Sequence, residues 1–226
     1  MNSIATKVSR LRAQRLFASV SDGILTSVNV RFATFAPGDA LAHHGDKNSP
    51  LLLLASGRAQ AARYSEDGRE FSIAFIRPGD SVGEAAIVLG CPAMCSVIAV
   101  TTVIAGLVDR AEARRLFDNS CVSKALLKRL ANKLESVVDN QAALTLPSAY
   151  ARTYSAILAA LRESPAEAAA QLELPPHAAI ALAANVSRET VSRAMKTLVA
   201  RGAIAKVSGR FRLTDRRVLH ELAAES

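Results

Sequence analysis

The chain has 226 residues, half of them hydrophobic, with 28 Lys and Arg against 20 Asp and Glu, giving a net charge of +8. That length and composition suit two modest domains with real cores and exclude wholesale disorder. The basic excess, with an isoelectric point near 9.9, predicts a polyanionic partner, nucleic acid ahead of an anionic membrane surface; a basic surface with no partner is the bland alternative.

Three cysteines, Cys91, Cys95 and Cys121, are too few and too odd in number for a disulfide framework. Lys7, Arg10, Arg12 and Arg15 interrupt the N-terminal segment, so no signal peptide is read there. No apolar run is long enough to span a bilayer. The expectation is a cytoplasmic protein with no membrane partner.

Residues 3–18 read as a short amphipathic helix. From Gly23 to Val108 short β-prone runs alternate with turn residues: Val28–Phe35, Leu51–Leu54, Gln60–Tyr64, Phe71–Ile76 and Ser96–Val108. Asp67-Gly68 reads as a hairpin turn. Pro-Gly-Asp occurs at 37–39 and again at 78–80, which marks either two similar corners of one roll or a chance repeat. The helical period returns with Ala111–Phe117 and then a long helix from about Ser120. On it Leu127, Leu130, Leu134, Val137, Gln141 and Leu144 form a heptad seam. A helix that long offers more apolar surface than a small roll can cover, so a homodimer interface is expected, with part of the helix facing the roll.

Pro147 ends the seam, and Leu146–Pro147 is the expected hinge. A helix follows over about 148–162, with Ile157, Leu158 and Leu161 as core. After Pro165 and a linker, residues 177–202 read as two short helices about a break at Asn185, which tolerates left-handed backbone. Ser187 is a good N-cap for the second helix. Val191, Met195 and Leu198 share one side of it, while Arg188, Glu189, Ser192, Arg193 and Lys196 lie largely elsewhere. This is a helix-turn-helix. Ile204–Val207 and Arg210–Leu213 flank Ser208-Gly209 as a wing, and Asp215–Ala224 closes as a helix. Residues 177–217 hold nine Lys and Arg against Glu189 and Asp215, a balance of +7 that favours double-stranded DNA over diffuse membrane attraction.

Two separated stretches point to one family. SEDGREFSIAFIRPGDSVGE (65–84) resembles the cyclic-nucleotide-binding β-roll, and NVSRETVSRAMKTL (185–198) resembles the DNA-binding end of the Crp/Fnr regulators. The resemblance covers essentially the whole chain. It implies an α+β fold: an effector-sensing β-roll in 1–119, a dimerisation helix and hinge in 120–146, and a winged helix-turn-helix in 147–226. It also implies a homodimeric transcription regulator on a palindromic site, with RNA polymerase as a further partner. Carried over residue by residue, Arg188, Glu189 and Arg193 enter the major groove. That fits their chemistry, since arginine grips guanine O6 and N7 and a carboxylate accepts from cytosine N4. Ser187 is expected near a phosphate, Lys196 beside the groove, and Lys206, Arg210 and Arg212 on phosphates from the wing.

The effector pocket departs from the pattern. Gly83 and Glu84 match the pair that holds a cyclic nucleotide's ribose, but Cys95 stands where the phosphate-pairing arginine is expected, before Ser96. Alignment through Arg152 puts Val137 and Val138 where hydroxyls would read adenine. Burying a phosphate without a cation is costly, so cyclic AMP is disfavoured and the effector is unknown. Arg63 and Arg77 are substitute cations only in a rearranged pocket, and Gly83-Glu84 as a plain structural turn stays open. Cys91 and Cys95 are either a thiol pair or small hydrophobes; His43-His44 lacks further metal ligands, and no metal is expected. The rival readings are a cyclic-nucleotide or thiol-redox sensor module whose DNA domain is secondary, and an enzyme, for which no nucleophile–base constellation exists.

Overall fold

The computed structural model describes residues 4–64, 70–162, 174, 176–207 and 210–225. The chain divides into two compact units, residues 1–131 and 132–226. Among the described residues no helix is long and apolar enough to cross a membrane.

The first unit is a β-roll. One antiparallel sheet runs β1 (Arg31–Phe35), β8 (Val103–Val108), β3 (Leu51–Ser56) and β6 (Ser81–Val82); the other runs β2 (Ala40–Ala42), β7 (Ser96–Ala99), β4 (Ala59–Tyr64) and β5 (Glu70–Ile76). The four leucines of β3 show why a continuous apolar run suits this strand. Alternation sends Leu52 and Leu54 into the roll interior with Leu41, Ala61, Ile76 and Val97. It sends Leu51 and Leu53 to the opposite face, where the helices pack. These are α1 (Ile4–Arg12), α2 (Asp22–Ser27), α3 (Glu84–Leu89), α4 (Arg110–Phe117) and the start of α5 (Ser120–Leu144).

The two Pro-Gly-Asp segments form the same corner. Asp39 N–H donates to Ala36 O at 3.0 Å, and Asp80 N–H to Arg77 O at 3.0 Å. Each aspartate carboxylate then accepts from the backbone three residues back, Ala36 N at 2.7 Å and Arg77 N at 2.9 Å. Gly38 and Gly79 take φ of 91° and 88°, the left-handed position that glycine fills without steric cost.

Several expected boundaries move. The first helix ends at Arg12, because Arg15 N–H turns to Gly79 O at 3.0 Å and Leu16, Phe17 and Val20 drop into the core as tight turns. The expected strand at 28–35 begins only at Arg31, after α2. Ser96–Val108 is two strands in different sheets, split by a turn at 100–102. Helix α3 and strand β2 were not foreseen. The turn at Asp67-Gly68 lies outside the described residues, although β4 and β5 on either side pair antiparallel as a hairpin requires.

Helix α5 has two kinds of surface. Val122 and Leu126 are buried in the roll's outer core, and Leu130 is half-buried beside them. Leu130 therefore departs from the expected seam, because its spacing from Leu126 and Val122 turns it to the roll. Leu127, Leu134, Val137 and Val138 stay 67%, 66%, 54% and 56% exposed. Gln141 and Leu144 are exposed too.

The second unit packs α6 (Ala149–Arg162), α7 (His177–Ala183), α8 (Arg188–Ala200), the hairpin β9 (Ile204–Val207) with β10 (Arg210–Leu213), and α9 (Arg216–Glu225) around one core. Ile157, Leu158 and Leu161 are buried there as expected, with Val191, Met195 and Leu198 of α8. Tyr154, also buried, bonds Thr197 on α8, and its burial raises the phenol pKa above the usual value. The Ser208-Gly209 turn and Pro165 fall outside the described residues.

Candidate nucleic-acid interface

Asn185 turns the chain between α7 and α8 at φ 49°, its only left-handed non-glycine residue among those described. Two residues on, Ser187 is the N-cap of α8, its Oγ accepting from Thr190 N at 3.1 Å. The hydroxyl lies 3.1 Å from Thr190 Oγ1 as well, and it also bonds the Glu189 carboxylate. The Ser187 hydroxyl thus caps the first turn of α8.

Four apolar positions, Val191, Ala194, Met195 and Leu198, bury one side of α8. Arg188, Glu189, Arg193 and Lys196 are all exposed, and Ser192 is half-buried. The core thus holds the helix by one face and leaves two guanidiniums, a carboxylate and an ammonium in water. The Glu189 carboxylate is held below its ordinary pKa chiefly by its own backbone N–H, then by the Ser187 hydroxyl, with Arg193 and Arg188 adding attraction. It is an ionised acceptor at neutral pH, standing at the positive end of α8.

The wing is less uniform. Lys206 lies opposite Phe211 and is exposed, its Nζ 6.0 Å from that ring's centroid. His177, at the start of α7, stacks on Phe211 with centroids 5.8 Å apart. Arg210 begins β10 opposite Val207. Arg212, opposite Ala205, is half-buried and its Nε is shut away from solvent.

The expected effector residues divide into separate sets. Gly83 has φ 108°, and a Cβ there would meet Pro50 O at 3.0 Å, so this turn demands glycine on backbone grounds alone. Glu84 is 7% exposed. Its Oε1 takes the Ser81 hydroxyl and, at 2.8 Å, Arg129 Nε from α5. Arg129 also donates to Ser81 O at 2.7 Å and lies 3.6 Å from Asp80, which pairs with Arg15 at 2.8 Å. The carboxylate expected to meet a ribose is thus already held by a guanidinium. Ser96 Oγ accepts from His44 N at 3.0 Å, and Cys95 packs half-buried against the roll interior. Cys91 is also half-buried and free; Arg110 holds its carbonyl at 2.7 Å. A hollow of about 300 Å³ is lined by His44, Gly45, Arg63, Pro92, Ala93 and Met94. Arg63 thus borders the same hollow as Pro92, Ala93 and Met94 of the Cys91–Cys95 loop. Among the described residues no cluster of His, Cys, Asp and Glu suits a metal ion.

Sequence reasoning gave no place to Arg129, one charge among several on a long helix, and used Arg152 only to set the alignment.

Known proteins match this architecture in both units. Residues 32–120 match the family model of the cyclic nucleotide-binding domain, and residues 151–222 that of the Crp-like helix-turn-helix domain. The Cyclic AMP receptor protein of Thermus thermophilus is 28% identical over 193 residues, 84% of this chain and 86% of that protein. A CRP-family transcriptional regulator, also from Thermus thermophilus, has a similar structure, with TM-score 0.61 and 26% identity over 85% of this chain and 96% of that one. FixK2 from Bradyrhizobium japonicum shares the fold, with TM-score 0.67 and 21% identity over 86% of this chain and 98% of that one. With its β-roll, its winged helix-turn-helix and both domain matches, this chain belongs to the Crp/Fnr family and is a transcription regulator.

Proposed function

We propose that this regulator is a homodimer that reads a two-fold symmetric duplex site, each copy placing Arg188, Glu189 and Arg193 against base edges. The observation that carries the reading is the two-sided α8, with four residues buried in the core and the charged set exposed on a capped helix. Lys196, Lys206 and Arg210 supply sequence-blind phosphate attraction. The exposed residues Leu127, Leu134, Val137, Val138 and Leu144 supply the dimer seam. Two-fold symmetry then sets half-sites about one helical turn, roughly 34 Å, apart. RNA polymerase is the further partner, and the cytoplasm the place of action.

Cyclic AMP is not the switch in this reading. Glu84 is engaged by Arg129 and Ser81, Cys95 offers no cation, and Val137 and Val138 offer no hydrogen bond to a base. A nucleotide would bring its phosphate charge to a loop where Cys95 supplies no cation. DNA binding without added cyclic AMP follows.

Selection from random duplexes with the full chain and no ligand tests both parts. A symmetric enriched site is expected. An asymmetric or unenriched pool sinks the dimeric reading, and micromolar cyclic AMP binding by calorimetry sinks the ligand-free one.

A further inference from the structure

We infer that Arg152 is a positioning residue for DNA reading: it ties the break after α5 to the turn of the helix-turn-helix and thereby fixes the separation of half-sites the dimer accepts. The inference rests on the symmetric reading proposed above.

The break itself rearranges hydrogen bonds. In a continuous helix the N–H groups of Tyr150 and Ala151 would serve the carbonyls of Leu146 and Pro147. Here both N–H groups turn to Ser148 Oγ, at 3.2 and 3.3 Å, which caps α6. Pro147 has no N–H to continue α5. The carbonyls of Leu146 and Pro147 are thereby released, and Arg152 Nη1 takes both, at 2.8 and 3.3 Å.

The same guanidinium reaches the reading motif. Arg152 Nε donates to Ala184 O at 3.2 Å. Ala184 is the C-cap of α7, one residue before left-handed Asn185 and three before the N-cap of α8. Backbone N–H groups close the preceding carbonyls of α7, those of Ile180, Ala181 and Leu182. The Ala184 carbonyl instead has a donor from another helix. One planar, rigid fork thus holds the hinge carbonyls with one nitrogen and the motif's turn with another. A lysine, whose single ammonium ends a flexible stem, cannot hold two acceptors in fixed directions in this way. Pivoting α6 about Leu146–Pro147 must therefore either carry the turn and α8 along or break these bonds. In a dimer whose readers hang from the two α5 ends, that constraint becomes a constraint on spacing.

The test uses full-length wild type, Arg152→Ala and Arg152→Lys on the selected duplex and on versions with one or two base pairs added between half-sites. Thermal unfolding and a base substitution within the half-site accompany it. Wild type is expected to lose binding steeply on insertion. Arg152→Ala should bind the selected duplex about tenfold more weakly, the scale of lost charge-assisted hydrogen bonds, and lose no more than about threefold further on insertion. The half-site substitution should cost all three proteins the same factor, since the base-reading side chains are untouched. Arg152→Lys should melt like wild type yet discriminate spacing poorly, and it carries the test if the alanine variant does not fold. Variants that discriminate spacing as wild type does overturn this inference alone. Uniform weakening on every duplex with a lowered melting temperature also overturns it, reducing Arg152 to a structural cap. A wild type indifferent to spacing overturns the symmetric reading as well.

Discussion

The reading helix and the roll both concentrate charge, and they use it in opposite ways. On α8, Arg188, Glu189, Arg193 and Lys196 stand in water around a buried apolar face. In the roll, Arg15, Asp80, Glu84 and Arg129 turn toward one another across four segments of chain. Exposed charges need no rearrangement before meeting a polyanion. Charges paired around a buried carboxylate such as Glu84 must be separated and rehydrated before a ligand can use them. The same residue types therefore make an open reader in one unit and a closed brace in the other. Only the partners decide which.

The largest expected effect tests the open side. Replacing Arg188 and Arg193 together by alanine should cost about 2–6 kcal/mol of specific DNA binding per half-site, from two lost bidentate base contacts in each half of the symmetric site. Because neither residue touches the core, the melting temperature should stay within a degree or so of wild type. Fluorescence anisotropy on the selected duplex, beside thermal unfolding, measures both. Unchanged affinity would mean these side chains are solvated surface after all.

Next comes the α5 stripe. Leu134→Ala should weaken self-association by about 2–4 kcal/mol, since each dimer loses two leucines from its seam. Sedimentation should show a rise in monomer at fixed concentration while the unfolding midpoint of isolated subunits hardly moves. A Leu130→Ala variant sharpens the comparison: Leu130 is half-buried against the roll, so it should destabilise the first unit more than it loosens the dimer.

The closed side is tested by Arg129→Ala. Glu84 would then be left as a buried carboxylate without its cation, at a cost of roughly 3 kcal/mol, the low end of the range because Arg129 keeps some solvent contact. Adding Glu84→Gln should recover most of that loss in denaturant unfolding. A neutral single variant would break the contrast between the two units.

What could be foreseen from the sequence divides along the same line. The helix-turn-helix was legible because its signals are local: Asn185 at the break, Ser187 at the cap, and apolar residues on one face. The long helix and the stop at Pro147 were legible for the same reason. The β-roll strands were found, but α3 was not, since Glu84–Leu89 is a six-residue, mostly apolar stretch whose length cannot separate helix from strand. The Glu84–Arg129 pair joins residues 45 positions apart, and no periodicity reports such a meeting. The burial of Arg212 was not legible either, because charge alone says nothing of how a side chain lies along the wing, and here it is half-buried with its Nε enclosed.

The smallest expected effect concerns pH. Glu189 has a lowered pKa, set first by its own backbone N–H and then by the Ser187 hydroxyl, with the neighbouring arginines adding to it. A depressed carboxylate pKa means the charge is fully present above the unfolded value. Its contribution disappears only as pH falls through the still lower folded value. Between about pH 8 and 6 the carboxylate therefore does not titrate, and it should add nothing to the pH dependence of DNA binding in that window. Glu189→Gln should change which base is preferred at the position that carboxylate reads, because an amide can donate as well as accept. The affinity curves of wild type and variant on their own best duplexes should nonetheless run parallel from pH 8 to 6. Curves that diverge toward pH 6 would show that Glu189 takes up a proton there, so that the cap at Ser187 does not hold it ionised for base reading.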